Sequence, residues 1–205
     1  MERKANRLQR LPEMLLDIIL LGVMWTLTSL GVVTVGAATA ALNESMRAAM
    51  VEEEKKPLPI FFQAFRAHFG LATKVWLLHL IAIAVLTLDI LYYSAGDSVQ
   101  DTLAMTVMCV LATMLAFEMA VVFACIVQYR PATVRACFAK AFDFAFRCFW
   151  DSLQLLCITA AVLLSGLFLF HGILPFAAGI IACAHWKLLP RIFQKAHFKK
   201  PQKQK

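Results

Sequence analysis

Two carboxylates inside otherwise apolar stretches are the residues of this chain best suited to chemistry. Glu118 is the one Asp, Glu, Lys or Arg residue between Thr102 and Tyr129. A charged side chain at the centre of a membrane costs about 2.5–3.5 kcal/mol on insertion scales, so Glu118 should face a bundle interior, protonated or paired. Its functional interpretation is a proton or cation site or a polar substrate contact. A hydrogen-bonded structural Glu is the alternative.

Asp89 is the second such carboxylate. It lies about one turn from the end of an apolar stretch that runs from Val75 to Ala95, and Tyr92 and Tyr93 follow it closely. This position suits an outward-facing contact for a cation or a sugar. The alternative is that Asp89 simply reaches the polar interface at the end of its helix.

A third candidate site is a predicted break in the first apolar segment. Gly31 and Gly36 bracket a β-branched run, which forms helix poorly. We predict one helix from about Pro12 to Leu30 and a returning helix from Ala37 to about Glu53. A broken helix frees backbone polar groups inside a membrane, and a cavity lined by Thr34, Gly36 and Thr39 could use them. The alternative is a small-residue surface for close helix packing.

Other chemistry has no support in the motifs. His79, His171 and His185 have no His or carboxylate one turn away, and the six cysteines form no CxxC pair, so we expect reduced thiols, no metal site and no cofactor. The patterns GxSxG, HExxH, GxxxxGK[ST] and GxGxxG are absent, which predicts a protein that is not an enzyme.

Composition indicates the elements that must hold these residues. Apolar residues make up 61% of the 205, charged residues 16%, and the mean hydropathy is +0.72. A soluble domain has about 45–50% apolar residues, so the excess should face lipid. Residues 152–186 contain no Asp, Glu, Lys or Arg and suit two short crossings, with a turn at His171, Gly172 and Pro175. We predict an all-α polytopic transmembrane bundle of five to six membrane helices, forming one domain over residues 1–205.

The basic residues predict orientation. They fall into four clusters of four, five, four and seven, and the loop from Ser94 to Asp101 holds none. By the positive-inside rule that loop faces outside and both termini are cytoplasmic, in a multi-pass protein of the cell membrane. The clusters flank apolar segments, so they indicate an anionic leaflet and not nucleic acid. Two alternatives concern the first segment: a single crossing with the N-terminus outside, or a signal peptide, for which the apolar run is too long.

Two Phe-rich stretches share one spacing. Phe residues recur every four positions at 61, 65 and 69 and again at 138, 142 and 146, with polar residues between them. We predict two short helices lying in the membrane interface. Shifting residues 61–86 by 77 positions aligns nine identical residues, which suggests a weak internal repeat of 61–129 and 138–200.

The run Thr34-Val35-Gly36-Ala37-Ala38-Thr39-Ala40-Ala41-Leu42, followed by the Phe-rich segment at 61–69, resembles the YesL family of bacterial membrane proteins. The resemblance implies a bacterial cell-membrane protein whose relatives are encoded beside carbohydrate-uptake genes and have no established activity. It favours an accessory or regulatory component of carbohydrate uptake or utilisation, with transporter subunits as partners. The alternative is a small self-associating transporter or channel that uses a polar site near mid-membrane.

Overall fold

The fold is a bundle of helices. The computed structural model describes residues 2–52, 57–169 and 174–198, and within these ranges it contains helices and connecting turns but no strand. Seven α-helices are described: α1 Glu2–Thr28, α2 Val35–Val51, α3 Pro57–Ser94, α4 Val99–Tyr129, α5 Val134–Arg147, α6 Phe149–Leu169 and α7 Leu174–Phe198.

The first apolar segment is broken, as the sequence predicts. α1 ends at Thr28, two residues before the predicted end, and α2 begins at Val35 after a single 3₁₀ turn, Val32–Thr34. The Thr34 hydroxyl lies 2.6 Å from the carbonyl oxygen of Thr28 and satisfies one of the groups that the break frees. The indole N–H of Trp76 donates to the carbonyl oxygen of Val32 at 2.7 Å.

α2 lies in the middle of the bundle and packs against α1, α3, α4 and α7. Its small residues permit close approach, and its polar residues Asn43, Glu44 and Ser45 are buried. A segment with this many polar residues packs against protein and not against lipid. Two tryptophan indoles donate to α2: Trp25 to the Thr39 hydroxyl and Trp186 to the Asn43 side-chain oxygen, each at 3.1 Å.

α3 and α4 form a long antiparallel hairpin. Ser98 caps α4, since its hydroxyl accepts from the Asp101 backbone N–H while the Asp101 carboxylate accepts from the Ser98 N–H. The helices have 38 and 31 residues, or about 57 and 46 Å at ~1.5 Å per residue, against ~30 Å of hydrocarbon. Both are long and apolar enough to cross a membrane.

Much of the apolar surface of this hairpin is not buried within the protein. Over its most apolar 18 residues α3 is only 11% buried within the protein, and α4 is 44% buried. A core helix of a soluble protein would be mostly buried. Large apolar side chains such as Leu88, Leu91 and Leu103 are each more than 60% exposed. Two helices therefore support membrane association, and a shorter apolar helical stretch runs from Met14 to Thr28.

The Phe-rich prediction needs one correction. The first stretch is not a separate short helix but the beginning of α3, which continues without a break past Gly70. Continuity follows from packing, because Phe61, Ala64 and Val75 on one face of α3 are all buried in the core. The second stretch is a separate helix, α5, which Thr133 caps by accepting from the Ala136 N–H.

α6 and α7 occupy the long uncharged block, as predicted for two helices. Of the predicted turn, Pro175 lies in the first turn of α7, and His171 and Gly172 lie outside the described residues. α7 packs closely on α1, since a Cβ atom on Gly179 would lie 2.4 Å from the Ile18 carbonyl oxygen.

Candidate functional site: a buried His–Glu pair

The α3–α4 hairpin brings His79 and Glu118 together. The Nε2 atom of His79 and the Oε2 atom of Glu118 form a hydrogen bond. The two side chains are 0% and 1% exposed, so water does not reach them. On its other side the His79 ring places Nδ1 2.8 Å from the carbonyl oxygen of Val75, one turn earlier in α3.

These contacts fix the number of protons on the pair. A carbonyl oxygen can only accept a hydrogen bond, so the Nδ1 of His79 carries a proton and donates to Val75. One further proton then lies between His79 Nε2 and Glu118 Oε2, and it belongs either to the acid or to the imidazolium. In both arrangements the pair has no net charge. This neutrality lets a carboxyl group remain inside an apolar bundle.

α5 covers the pair. The ring of Phe138 stacks on the His79 imidazole with centroids 5.2 Å apart and an interplanar angle of 21°. The thiols of Cys125 on α4 and Cys137 on α5 are buried in the same region. Toward the polar end of the hairpin, Val75 and Val122 are fully buried one turn from the pair. The site is therefore dry, and a change in its packing must involve α3, α4 or α5.

Glu118 also borders a cavity of about 290 Å³ between α4, α5 and α6. Its Oε1 atom is buried, and no hydrogen-bond donor among the described residues reaches it. The rest of the lining is apolar apart from the Thr113 hydroxyl, which is bonded to the Cys109 carbonyl oxygen. The lining residues are Val110, Thr113, Met114, Phe117, Glu118, Phe142, Ala145, Phe146 and Phe149.

A second polar cluster centres on Glu44 of α2. Its carboxylate accepts from Arg47 at 2.9 Å and Arg130 at 3.0 Å, and it lies 3.1 Å from His68 Nε2. Burial acts to raise the pKa of Glu44, but the hydrogen bonds from His68 and Arg47 and the charges of Arg47 and Arg130 outweigh burial and lower that pKa to about 2. The cluster ties α2 to α3 and to the end of α4.

This cluster borders a larger, more open cavity. It measures about 500 Å³ and lies between Glu44, the first half of α3 and the segment after α4. Arg130, which ends α4 in a left-handed conformation with φ 44°, forms part of its wall. Arg130 is 69% exposed, so this cavity lies at the polar end of the hairpin, beyond the apolar part of α4.

The two predicted carboxylate sites, Glu118 and Asp89, lie at different levels of the α3–α4 hairpin. Glu118 faces the bundle interior and is paired, as expected. Asp89 is partly exposed and lies ten residues beyond His79 on α3, or about 15 Å along the axis, so it belongs to a different level of the hairpin.

Thr34, Gly36 and Thr39 pack closely. A Cβ atom on Gly36 would lie 2.5 Å from both the Ala72 carbonyl oxygen and the Trp76 Cβ. The Thr39 hydroxyl donates to the Val35 carbonyl oxygen at 2.7 Å and accepts from Trp25. These three residues line neither cavity described above. Their contacts agree with the small-residue packing alternative, and a functional role for them stays a prediction.

The sequence reasoning missed His79 and the Glu44 cluster. His79 and Glu118 lie 39 positions apart in the chain. Glu44 lies 24 positions from His68 and 86 from Arg130. A search for partners one turn away could therefore detect only the contact of Glu44 with Arg47. One signal was present: His79 lies 19 residues before Ser98 and Glu118 lies 20 residues after it. In an antiparallel hairpin, residues equidistant from the turn lie level with each other. Among the described residues no three His, Cys, Asp or Glu side chains group as a metal site.

Fold and site together define a helical protein with two membrane-capable helices and a dry, proton-sharing His–Glu pair between them. Residues 18–90 match the family model described as "Protein of unknown function, DUF624", a family that includes YesL-like proteins. The matched part runs from α1 into α3 and contains Glu44 and His79, whereas Glu118 lies beyond it. No curated protein and no solved structure matches the chain.

Proposed function

We propose that the chain is a YesL-like, multi-pass protein of the bacterial cell membrane with both termini in the cytoplasm. The exposed apolar surface of α3 supports a lipid environment. The Glu44 cluster and the basic segment after α4 then lie at the cytoplasmic face, and the turn containing Asp97 lies outside. We propose no enzymatic activity for the chain.

Within that membrane, the His79–Glu118 pair is the working site of a small transporter or channel that takes up and releases a proton. The observation that carries this proposal is the hydrogen bond between two buried titratable side chains, His79 and Glu118, within the apolar part of the α3–α4 hairpin. In such a pair the shared proton can be held by either partner, so a change in local geometry can shift it from one side chain to the other. In the described conformation Val75 and Val122 close the pair off, so proton exchange requires movement of this layer.

Proton flux into liposomes tests this proposal. The purified chain would be reconstituted with a trapped pH indicator, and a pH step applied across the membrane. We expect wild-type flux above that of empty liposomes, and at least a tenfold loss in Glu118→Gln, which keeps the side-chain shape but removes the titratable group. Asp97→Asn is the matched control, since it makes the same carboxyl-to-amide change in the exposed turn. Wild-type flux equal to that of empty liposomes would overturn the proposal.

A second candidate is an accessory or regulatory component of carbohydrate uptake. It is favoured by the match of residues 18–90 to a family that includes YesL-like proteins, and by the YesL resemblance of residues 34–42. Crosslinking in native membranes distinguishes the two candidates. Recovery of a transporter permease or a substrate-binding subunit supports the accessory role, and self-contacts alone support the transporter or channel.

A further inference from the structure

The cavity beside Glu118 has a closed floor and an open, apolar mouth. Glu118 and Ala145 form the floor, at 1% and 5% exposure. Around the mouth, Val110 on α4, Phe146 on α5 and Phe149 on α6 are between 45% and 57% exposed. Three helices thus contribute to one pocket whose entrance lies on the apolar surface of the bundle.

The floor presents one unused hydrogen-bond acceptor. Glu118 Oε2 is held by His79, while Oε1 is buried and has no donor among the described side chains. A buried acceptor without a partner is unfavourable, and buried polar groups are normally satisfied by protein or by a bound molecule. The neighbouring Thr113 hydroxyl cannot fill this role at the same time as its bond to the Cys109 carbonyl oxygen.

Because the floor of the cavity is neutral, it favours an uncharged hydrogen-bond donor over a cation. The His79–Glu118 pair has no net charge, so a cationic head group entering the apolar pocket would lose its hydration without gaining a full counter-charge. An uncharged hydroxyl group loses less hydration free energy than a cation does when it enters the pocket. It also donates the one hydrogen bond that Oε1 lacks. The volume of about 290 Å³ is close to the lower end of the ~300–1,000 Å³ typical of small-molecule sites.

We propose that this cavity binds an uncharged, chain-like apolar molecule with a terminal hydroxyl group, which enters sideways from the bilayer. The hydroxyl donates to Glu118 Oε1, and the chain lies against the phenylalanines of α5 and α6. The inference rests on the proposed membrane location, and it does not require that the protein move protons.

Fluorescence quenching in lipid nanodiscs tests the proposal. Trp150 lies beside the mouth, with its ring centroid 5.7 Å from that of Phe149, so a bromine-tipped chain in the cavity should quench it. The probes are undecanol, undecane and undecylammonium, each carrying bromine at the far end. We expect saturable quenching by the alcohol, with an apparent affinity at least tenfold above that of the other two. Trp150→Phe removes the signal that belongs to this site.

A matched pair of variants controls for partition into the lipid. Ala145→Leu fills the floor of the cavity and should make quenching by the alcohol non-saturable. Ala139→Leu makes the same change at an exposed position of α5 that does not line the cavity, and should leave quenching unchanged. Equal, non-saturable quenching by all three probes, or tightest binding of the ammonium, would overturn the proposal.

Glu118→Gln separates this inference from the proposed function. The amide N–H₂ can donate to His79 Nε2 while the amide oxygen still faces the cavity, so the variant should bind the alcohol. The same variant should carry no proton flux. Loss of flux with retained binding supports both proposals. An alcohol that binds to a wild-type protein without proton flux supports the cavity alone.

Discussion

The His79–Glu118 pair has no net charge because its two side chains share one proton between Nε2 and Oε2. His79 is oriented by its bond to the Val75 carbonyl oxygen, which leaves Nε2 to share one proton with Glu118. A Glu alone at this depth would have to stay protonated, with both oxygens needing partners. The pair satisfies Oε2, and Oε1 remains buried without a donor among the described residues.

Glu44 shows the opposite solution, a carboxylate kept charged by its neighbours. It lies level with Arg130 at the end of α4, outside the two membrane-capable helices. Arg47, His68 and Arg130 come from three different parts of the chain, so this one side chain fastens α2 to the α3–α4 hairpin. These contacts hold α2 against the hairpin and do not involve the His79–Glu118 pair.

The low pKa of Glu44 predicts how stability depends on pH. Because folding lowers that pKa from 4.5 to about 2, the ionised side chain stabilises the fold above pH 4.5, and its contribution is lost as the pH falls toward 2. We expect Glu44→Gln to destabilise the protein at pH 7 by roughly 2 kcal/mol, allowing for solvent near Arg130. Thermal unfolding in detergent at pH 7 and at pH 3 measures this. An equal deficit at both pH values would contradict the assignment.

Among the described helices, α2 and α3 form the most extensive contact, and Gly36 lies where they approach closely. A side chain at Gly36 would meet the α3 backbone at Ala72, which cannot move without shifting the helix. Gly70, on α3, has open space around its Cα atom. The two glycines therefore offer opposite outcomes for the same substitution.

We expect Gly36→Ala to destabilise the protein by about 1–3 kcal/mol, as overpacking does. Gly70→Ala should stabilise it by about 0.5–1 kcal/mol, because alanine costs less backbone entropy in a helix. Unfolding midpoints of the two variants in one detergent compare them directly. A stable Gly36→Ala protein would mean that α2 and α3 lie farther apart than described.

Much of the element order could be predicted from the sequence, and the contacts could not. The apolar runs and the β-branched segment after Gly31 located the break between α1 and α2 to within two residues. The Phe spacing of residues 61–69 predicted a separate helix wrongly, because it reports which face is apolar and not where a helix ends. Gly36 was noted in the sequence, but its neighbour Ala72 follows only from how α2 and α3 pack.

The site was half predictable for a similar reason. The position of Glu118 near the middle of an apolar run identified it, because the cost of burying a charge rises with its depth in the apolar region and that depth can be read from the sequence. His79 required the register of the α3–α4 hairpin, which the Ser98 cap sets. The buried Glu44 cluster required three segments to meet, and no local pattern encodes that meeting.

At the scale of the whole molecule, the proposed orientation predicts which side of the membrane each loop faces. In a cysteine-free background, Asp97→Cys lies in the turn between α3 and α4 and should react with an impermeant maleimide added outside intact cells. Lys203→Cys, in the basic C-terminal segment, should react only after the cells are opened. Mass shifts of the labelled protein give the result. Labelling of both positions from the same side would refute the proposed orientation.

Carbodiimide modification in native membranes tests most directly whether the Glu118 carboxyl group, which shares one proton with His79, is reached from lipid and closed to water. Carbodiimides react with protonated carboxyl groups, and peptide mass spectrometry locates the adduct. We predict that an apolar carbodiimide modifies Glu118 while a water-soluble one modifies Asp97 and leaves Glu118 untouched. Modification of Glu118 by the water-soluble reagent, or by neither, would contradict the account.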